Sequence, residues 1–137
     1  MIKKILSLFL LAVLVFSKPG NAQFIDSFTD GNFSANPAWS GNTADWIVNP
    51  SLQLQSNNNV ASSNFYLSTA NTLATTAQWE FWCQITFNPS STNYIDFYLT
   101  ASVSDITQSA VTGYFVRIGG TSDEISLYRK NANGTST

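Results

Sequence analysis

The sequence predicts an all-β fold, and three observations carry the prediction. No window longer than about ten residues holds a helical period. β-Branched and aromatic residues recur in short runs, and almost every pair of runs is separated by a cluster of Asn, Ser, Gly or Pro.

The first element is a targeting segment. Lys3 and Lys4 form a positive start, residues 5–16 are an apolar run with Ser7 within it, and Lys18-Pro19-Gly20-Asn21-Ala22 interrupts it with small residues at Gly20 and Ala22. An apolar helix of that length rises about 18 Å, short of a hydrocarbon core of about 30 Å. The reading is therefore a cleaved secretory signal over residues 1–22 and a mature chain of residues 23–137, secreted or held at the cell surface without membrane insertion. A lipid anchor would need a cysteine directly after the apolar run, and the single cysteine is Cys83.

The mature chain offers strands at residues 24–28, 46–48, 52–55, 64–67, 78–87, 94–101, 113–118 and 125–129. Between them lie Asp30-Gly31-Asn32, Asn49-Pro50-Ser51, Ser56-Asn57-Asn58-Asn59, Asn88-Pro89-Ser90-Ser91 and Gly119-Gly120. These residues admit positive φ or fix a turn. In the fifth run Trp79, Phe81, Cys83, Ile85 and Phe87 alternate with polar residues, and in the sixth Ile95, Phe97, Leu99 and Ala101 do the same, so both stripes are expected to face one core. Cys83 then sits in an apolar stripe, as a small core hydrophobe rather than a reactive thiol. At the far end Asn133-Gly134 is a strong hairpin signal, but only Thr135, Ser136 and Thr137 follow it. The expectation is a domain cut short, its returning strand missing and a sheet edge left open.

Composition removes most chemistries. After Ala22 there are eight acidic and three basic side chains, a net charge of −5, too few cations to neutralise a run of phosphates, so nucleic acid and anionic membrane surfaces are not expected partners. Histidine is absent, which removes imidazole-based catalysis and histidine-ligated zinc, and one cysteine makes neither an internal disulfide nor a thiolate cluster. Only a carboxylate pair remains for hydrolysis. Glu80 and Asp96 are the candidates, but the acids do not alternate along one strand as a glycosidase cleft requires, so no enzyme is expected.

The remaining candidates are binding residues. Opposite the apolar stripes stand Trp82, Tyr94 and Tyr98 among Gln84, Asp96 and Thr100, a combination that stacks on a sugar ring and hydrogen-bonds its hydroxyls. The competing reading is cross-strand packing of the same aromatics. Asp26, Asp30 and Asn32 offer oxygen ligands suited to Ca²⁺, with Asp123 and Glu124 as further ligands. The alternative is a turn in which Asp30 and Asn32 bond their own backbone around Gly31. Trp39 and Trp46 read as packing residues first and loop aromatics second. Arg117 falls on the face of Phe115, and Arg129 shares a face with Ile125 and Leu127.

Taken together, Phe28-Thr29-Asp30-Gly31-Asn32-Phe33, Asn36-Pro37-Ala38-Trp39-Ser40-Gly41, Trp79-Glu80-Phe81-Trp82 and Gly113-Tyr114-Phe115-Val116-Arg117-Ile118-Gly119 resemble the amino-terminal region of large secreted surface proteins of gliding bacteria. In those proteins the region is similar to a concanavalin A-like or laminin-G-like jelly roll, often ahead of lamin-tail domains. The resemblance implies a two-sheet antiparallel sandwich, incomplete at its C-terminus. It also implies a glycan or extracellular matrix polysaccharide as partner, and it supplies no ligand residues. The expectation is a non-catalytic carbohydrate-binding or adhesion module built on Trp82, Tyr94 and Tyr98 with Asp96 and Gln84. The alternative is a structural spacer domain of a larger surface protein.

Overall fold

The computed structural model describes residues 24–72, 77–132 and 134–136, and the expected signal segment lies outside them. Among the described residues the chain is all-β, with one turn of 3₁₀ helix at Thr43–Asp45 and no α-helix. Strand β1 is Ser40–Gly41, β2 Trp46–Val48, β3 Leu54–Ser56, β4 Leu67–Ser68, β5 Tyr94–Ala101, β6 Gly113–Gly119, β7 Glu124–Asn131 and β8 Gly134–Ser136. All pairing is antiparallel: β1 with β4, β2 with β3, and a four-stranded meander β5-β6-β7-β8.

The amino-terminal half is held by polar side chains that close loops rather than by long ladders. Asn49 turns β2 into β3: its Oδ1 accepts from Ser51 N–H and Gln53 N–H. Asp45 joins that hairpin to the next loop, its Oδ1 accepting from Asn58 Nδ2 at 2.8 Å and its carbonyl from Asn57 N–H at 2.8 Å. Trp39 and Trp46 both pack, as expected. Trp39 lies between Phe24 and Phe28, with ring centroids 6.3 and 6.2 Å away, and Trp46 meets Phe65 edge-on at 5.3 Å.

Several expected strands are corrected. Residues 24–28 form no strand, because Phe28 adopts φ +55° and its N–H is taken by Asp26 Oδ1. Residues 78–87 are not laddered to any strand. Period-two patterning marks side-chain alternation in any extended chain, and here the segment is anchored by ring contact, Phe81 stacking on Phe97 at 4.0 Å and 16°. Cys83 is accordingly half-buried instead of sealed in a core. The returning strand expected to be missing is present, since β8 pairs Gly134, Thr135 and Ser136 with Asn131, Lys130 and Arg129.

Register assigns the meander two unlike faces. On one, Tyr98, Phe115 and Tyr128 form a cross-strand row, followed by Asp96, Arg117 and Ser126. On the other, Phe97, Val116 and Leu127 form one row and Ile95, Ile118 and Ile125 the next. A bulge between Tyr98 and Thr100 then shifts β5 by one residue. Thr100 therefore pairs with Tyr114 and joins the Phe97 face, and Ala101 pairs with Gly113 on the Tyr98 face, the reverse of simple alternation. The most buried hydrophobic residues described are Val111 and Phe115, the latter 2% exposed. On the apolar face Ile125 and Leu127 remain 73% and 58% exposed.

Candidate functional site

The aromatic and polar residues singled out from the sequence on β5 do come together, but on one another. The ring of Phe115 stacks between Tyr98 at 4.9 Å and Tyr128 at 5.2 Å, with interplanar angles of 21° and 10°. These spacings match the strand separation of about 4.8 Å. The rings therefore stand as a ladder across three strands, with both faces of Phe115 and one face each of Tyr98 and Tyr128 taken up within it. Burial, with the Asp96 carboxylate beside it, raises the pKa of the Tyr98 phenol.

Asp96 is equally committed. Arg117 Nε donates to its Oδ1 and Nη2 to its Oδ2, both at 2.7 Å, and these bonds raise the arginine's pKa. The guanidinium lies 3.5 Å above the Tyr94 ring and 5.5 and 5.4 Å from the Phe115 and Tyr128 centroids. The expected sugar face, at Tyr94, Asp96 and Tyr98, is thus knit together by ring contacts around a bidentate ion pair, with Tyr94 still 38% exposed. Trp82 and Gln84 lie on the unladdered segment, exposed, the indole at 68%, and no described ring contact includes Trp82.

The three oxygen-bearing residues at the start of the described chain are divided between two turns. Asp26 Oδ2 accepts from Trp39 Nε1 at 2.7 Å. Asp30 accepts from Asn32 N–H and Nδ2, and Asn32 Oδ1 from Ser34 N–H, Ser34 Oγ and Ala35 N–H. Their oxygens are engaged by donors of this chain, and among the described residues no three Asp, Glu, Cys or His side chains gather as a metal-ligand group.

A different place on the meander is open. Where the bulge ends β5, a shallow groove of about 350 Å³ is lined by Thr100, Ala101, Ser102, Thr112, Gly113, Tyr114, Arg129, Lys130 and Asn131. The rephasing after the bulge builds it, by setting Thr100, Tyr114 and Arg129 in one row at the polar end of the apolar face. Gly113 lets the strands close there, since a Cβ would overlap the Thr100 carbonyl oxygen. Thr100 Oγ1 accepts from Tyr114 N–H at 3.2 Å and Ser102 Oγ from Thr112 N–H at 3.0 Å, so each hydroxyl keeps its own proton to donate. Tyr114 is 48% exposed and takes part in none of the described ring contacts, unlike Tyr94, Tyr98 and Tyr128.

Of the residues lining this groove, the sequence reading placed only Thr100 among binding candidates, and on the other face. One signal was present: Arg129 sharing a face with Ile125 and Leu127 marks the point at which that face turns polar. The bulge that brings Thr100 alongside Tyr114 has no signature in the local residues. Comparison with protein-family models, with curated proteins and with solved structures finds no match to the chain.

Proposed function

We propose that the protein is a non-catalytic carbohydrate-binding module of an exported protein, its meander forming one layer of an antiparallel sandwich. The observation that carries the reading is the groove at the end of β5, β6 and β7. It sets an open tyrosine ring beside three hydroxyl side chains and one carboxamide, Thr100, Ser102, Thr112 and Asn131. Aromatic faces bury the apolar face of a pyranose, and hydroxyls and amides exchange hydrogen bonds with its ring substituents. A groove this open suits a polymer passing over it, and it holds no carboxylate for hydrolysis. Exposed Trp82 remains a second stacking candidate.

Affinity electrophoresis of the protein through gels containing soluble polysaccharides tests the reading. Retardation by at least one polymer, reduced by Tyr114→Ala with the far-ultraviolet spectrum unchanged, is the expected result. Retardation abolished only by Trp82→Ala would move the site to residues 78–87.

A second reading, a structural layer within a larger surface assembly, is favoured by a separate observation: Ile125 and Leu127 stand largely exposed on the apolar face. A sheet face of this kind is ordinarily covered by a second β layer. On that reading Tyr114→Ala lowers stability and no polysaccharide retards the protein.

A further inference from the structure

We infer that residues 78–87 are an open strand position at which a second copy of this chain pairs, antiparallel and through the same segment, about a two-fold axis at Cys83. The inference stands apart from the groove and uses none of its residues.

The backbone of this segment is without partners. Residues 77–86 run without turn or bend, and none of residues 78–87 sits at positive φ. Yet among the described residues no N–H or carbonyl of 78–87 makes a backbone hydrogen bond. A straight run of this kind presents its amides and carbonyls as a template for another strand. The devices that usually blunt such an edge are missing, since residues 78–87 hold no Pro, no Lys and a single charge, Glu80. The fold also holds the segment in place. Phe81 stacks on Phe97 at 4.0 Å, and Pro89 closes on Gly119, where an added Cβ would lie 2.9 Å from the proline ring. Little ordering is left to be lost on pairing.

The side chains select the occupant, because the apolar stripe is symmetric about its middle. Paired about Cys83, Trp79 faces Phe87, Phe81 faces Ile85 and Cys83 faces its own copy, so the whole stripe is matched within itself. On the other face Trp82 meets Gln84 and Glu80 meets Thr86, so no like charges are opposed. A slip of one residue sets Trp82 against Cys83 and mixes the faces. A slip of two leaves Trp79 or Phe87 outside the stripe. Trp79, Phe81, Trp82 and Phe87 are 38, 43, 68 and 43% exposed, which leaves about 400 Å² of aromatic surface open on each copy. With the paired backbone added, two copies reach the lower end of stable interfaces, about 1,200 Å² in total. Isologous pairing of one edge closes at two copies, and a reversible dimer follows.

Sedimentation equilibrium and residue-resolved amide exchange, both on the protein from about 1 to 500 µM, test the inference. The expected result is a monomer–dimer equilibrium in which alternate amides between Trp79 and Phe87 exchange slowly only where the dimer is populated. Thr86→Glu sets like charges opposite Glu80 twice in the dimer and should weaken it about fivefold, and Thr86→Lys should tighten it by a similar factor. Gln78→Glu and Gln78→Lys carry the same charges to a position facing Asn88, and should change dissociation by less than about twofold. Gln78 and Thr86 are exposed and make no hydrogen bond among the described residues, so the variants should keep the parent's far-ultraviolet spectrum when dilute. A single monomeric mass across the range would overturn the inference, as would a dimer that leaves these amides fast. Slow exchange that does not depend on concentration would overturn it in favour of a partner strand within the chain. Equal responses to charge at positions 86 and 78 would overturn the pairing about Cys83.

Discussion

Arg117 holds Asp96 across the β5–β6 ladder with two hydrogen bonds of 2.7 Å, and its guanidinium rests 3.5 Å above the ring of Tyr94. One side chain thus satisfies a partly buried carboxylate and covers an aromatic face. Replacing Asp96 with Asn leaves the guanidinium half-buried with its charge unanswered. The pair is partly exposed, so the cost lies between that of surface and fully buried pairs, about 1–2 kcal/mol. Urea unfolding of Asp96→Asn should show it as a lower midpoint at unchanged slope. An unchanged midpoint would place the pair among surface bridges with no net effect.

Phe115 is the centre of the ladder and nearly sealed from solvent. Phe115→Ala removes its ring from between Tyr98 and Tyr128 and should cost about 3–5 kcal/mol, enough to consume most of the stability of a domain this size. Phe115→Leu, which refills much of the volume, should cost less than half as much. Thermal melts of the two variants check the order, and equal losses would mean that ring stacking rather than volume is what the site requires.

Cys83 is half-buried, and desolvation raises its pKa from an ordinary value of 9.0. The thiolate is the reactive species, so modification by an aromatic disulfide at pH 8 should be slower than that of glutathione and should accelerate only at higher pH than the free thiol does. The same shift bears on stability. Folding favours the protonated thiol, so its contribution is complete below the unfolded value and lost as pH rises through the folded one. Cys83→Ala should remove that alkaline loss. Modification as fast as glutathione's would show a fully solvated thiol.

How much of this was legible in the residues follows from what each pattern encodes. The β5, β6 and β7 segments carry enough alternating β-formers that their spans were readable, and within β5 the separation of Tyr98 from Phe97 with them. Alternation alone overreached at residues 78–87, because extended chain and laddered strand share a period of two. It failed again beyond Tyr98, where one extra residue in β5 exchanges the faces of Thr100 and Ala101. The aromatic face was readable from the sequence, but the contacts its rings make with one another were not. Whether Tyr98 turns its ring to solvent or to Phe115 depends on the residue opposite, and register is a property of the whole meander. The groove was illegible for the same reason, being made where a bulge, a strand end and Tyr114 coincide.

At the opposite end of the described chain, Trp39 donates its indole N–H to Asp26 at 2.7 Å while its ring lies between Phe24 and Phe28. Trp39→Phe keeps much of the ring packing and strands a carboxylate oxygen. A loss of about 1–3 kcal/mol is expected, the range for hydrogen bonds to charged groups. Asp26→Asn should lose less, because its carbonyl still accepts one of the two bonds. Chemical denaturation of both variants and of their double mutant gives the coupling directly, and additive losses would mean that the two residues act independently.

The tightest constraint on the groove is glycine. Gly113 opposes Ala101, and a side chain there would overlap the backbone oxygen of Thr100 itself. Backbone yields only by moving a strand, so Gly113→Ala must push β5 and β6 apart at the bulge. Two consequences should appear together: a destabilisation of a few kcal/mol, of the size seen when overpacking forces backbone shifts, and faster amide exchange at Ser102 and Tyr114, whose neighbouring ladder bonds open. Gly120 provides the control, because a Cβ there meets nothing within 4 Å, although its φ of +87° adds local strain. If Gly113→Ala matched Gly120→Ala in stability and left exchange at Ser102 unchanged, the close approach of the two strands at the groove would be wrong, and with it the pairing that sets Thr100 beside Tyr114.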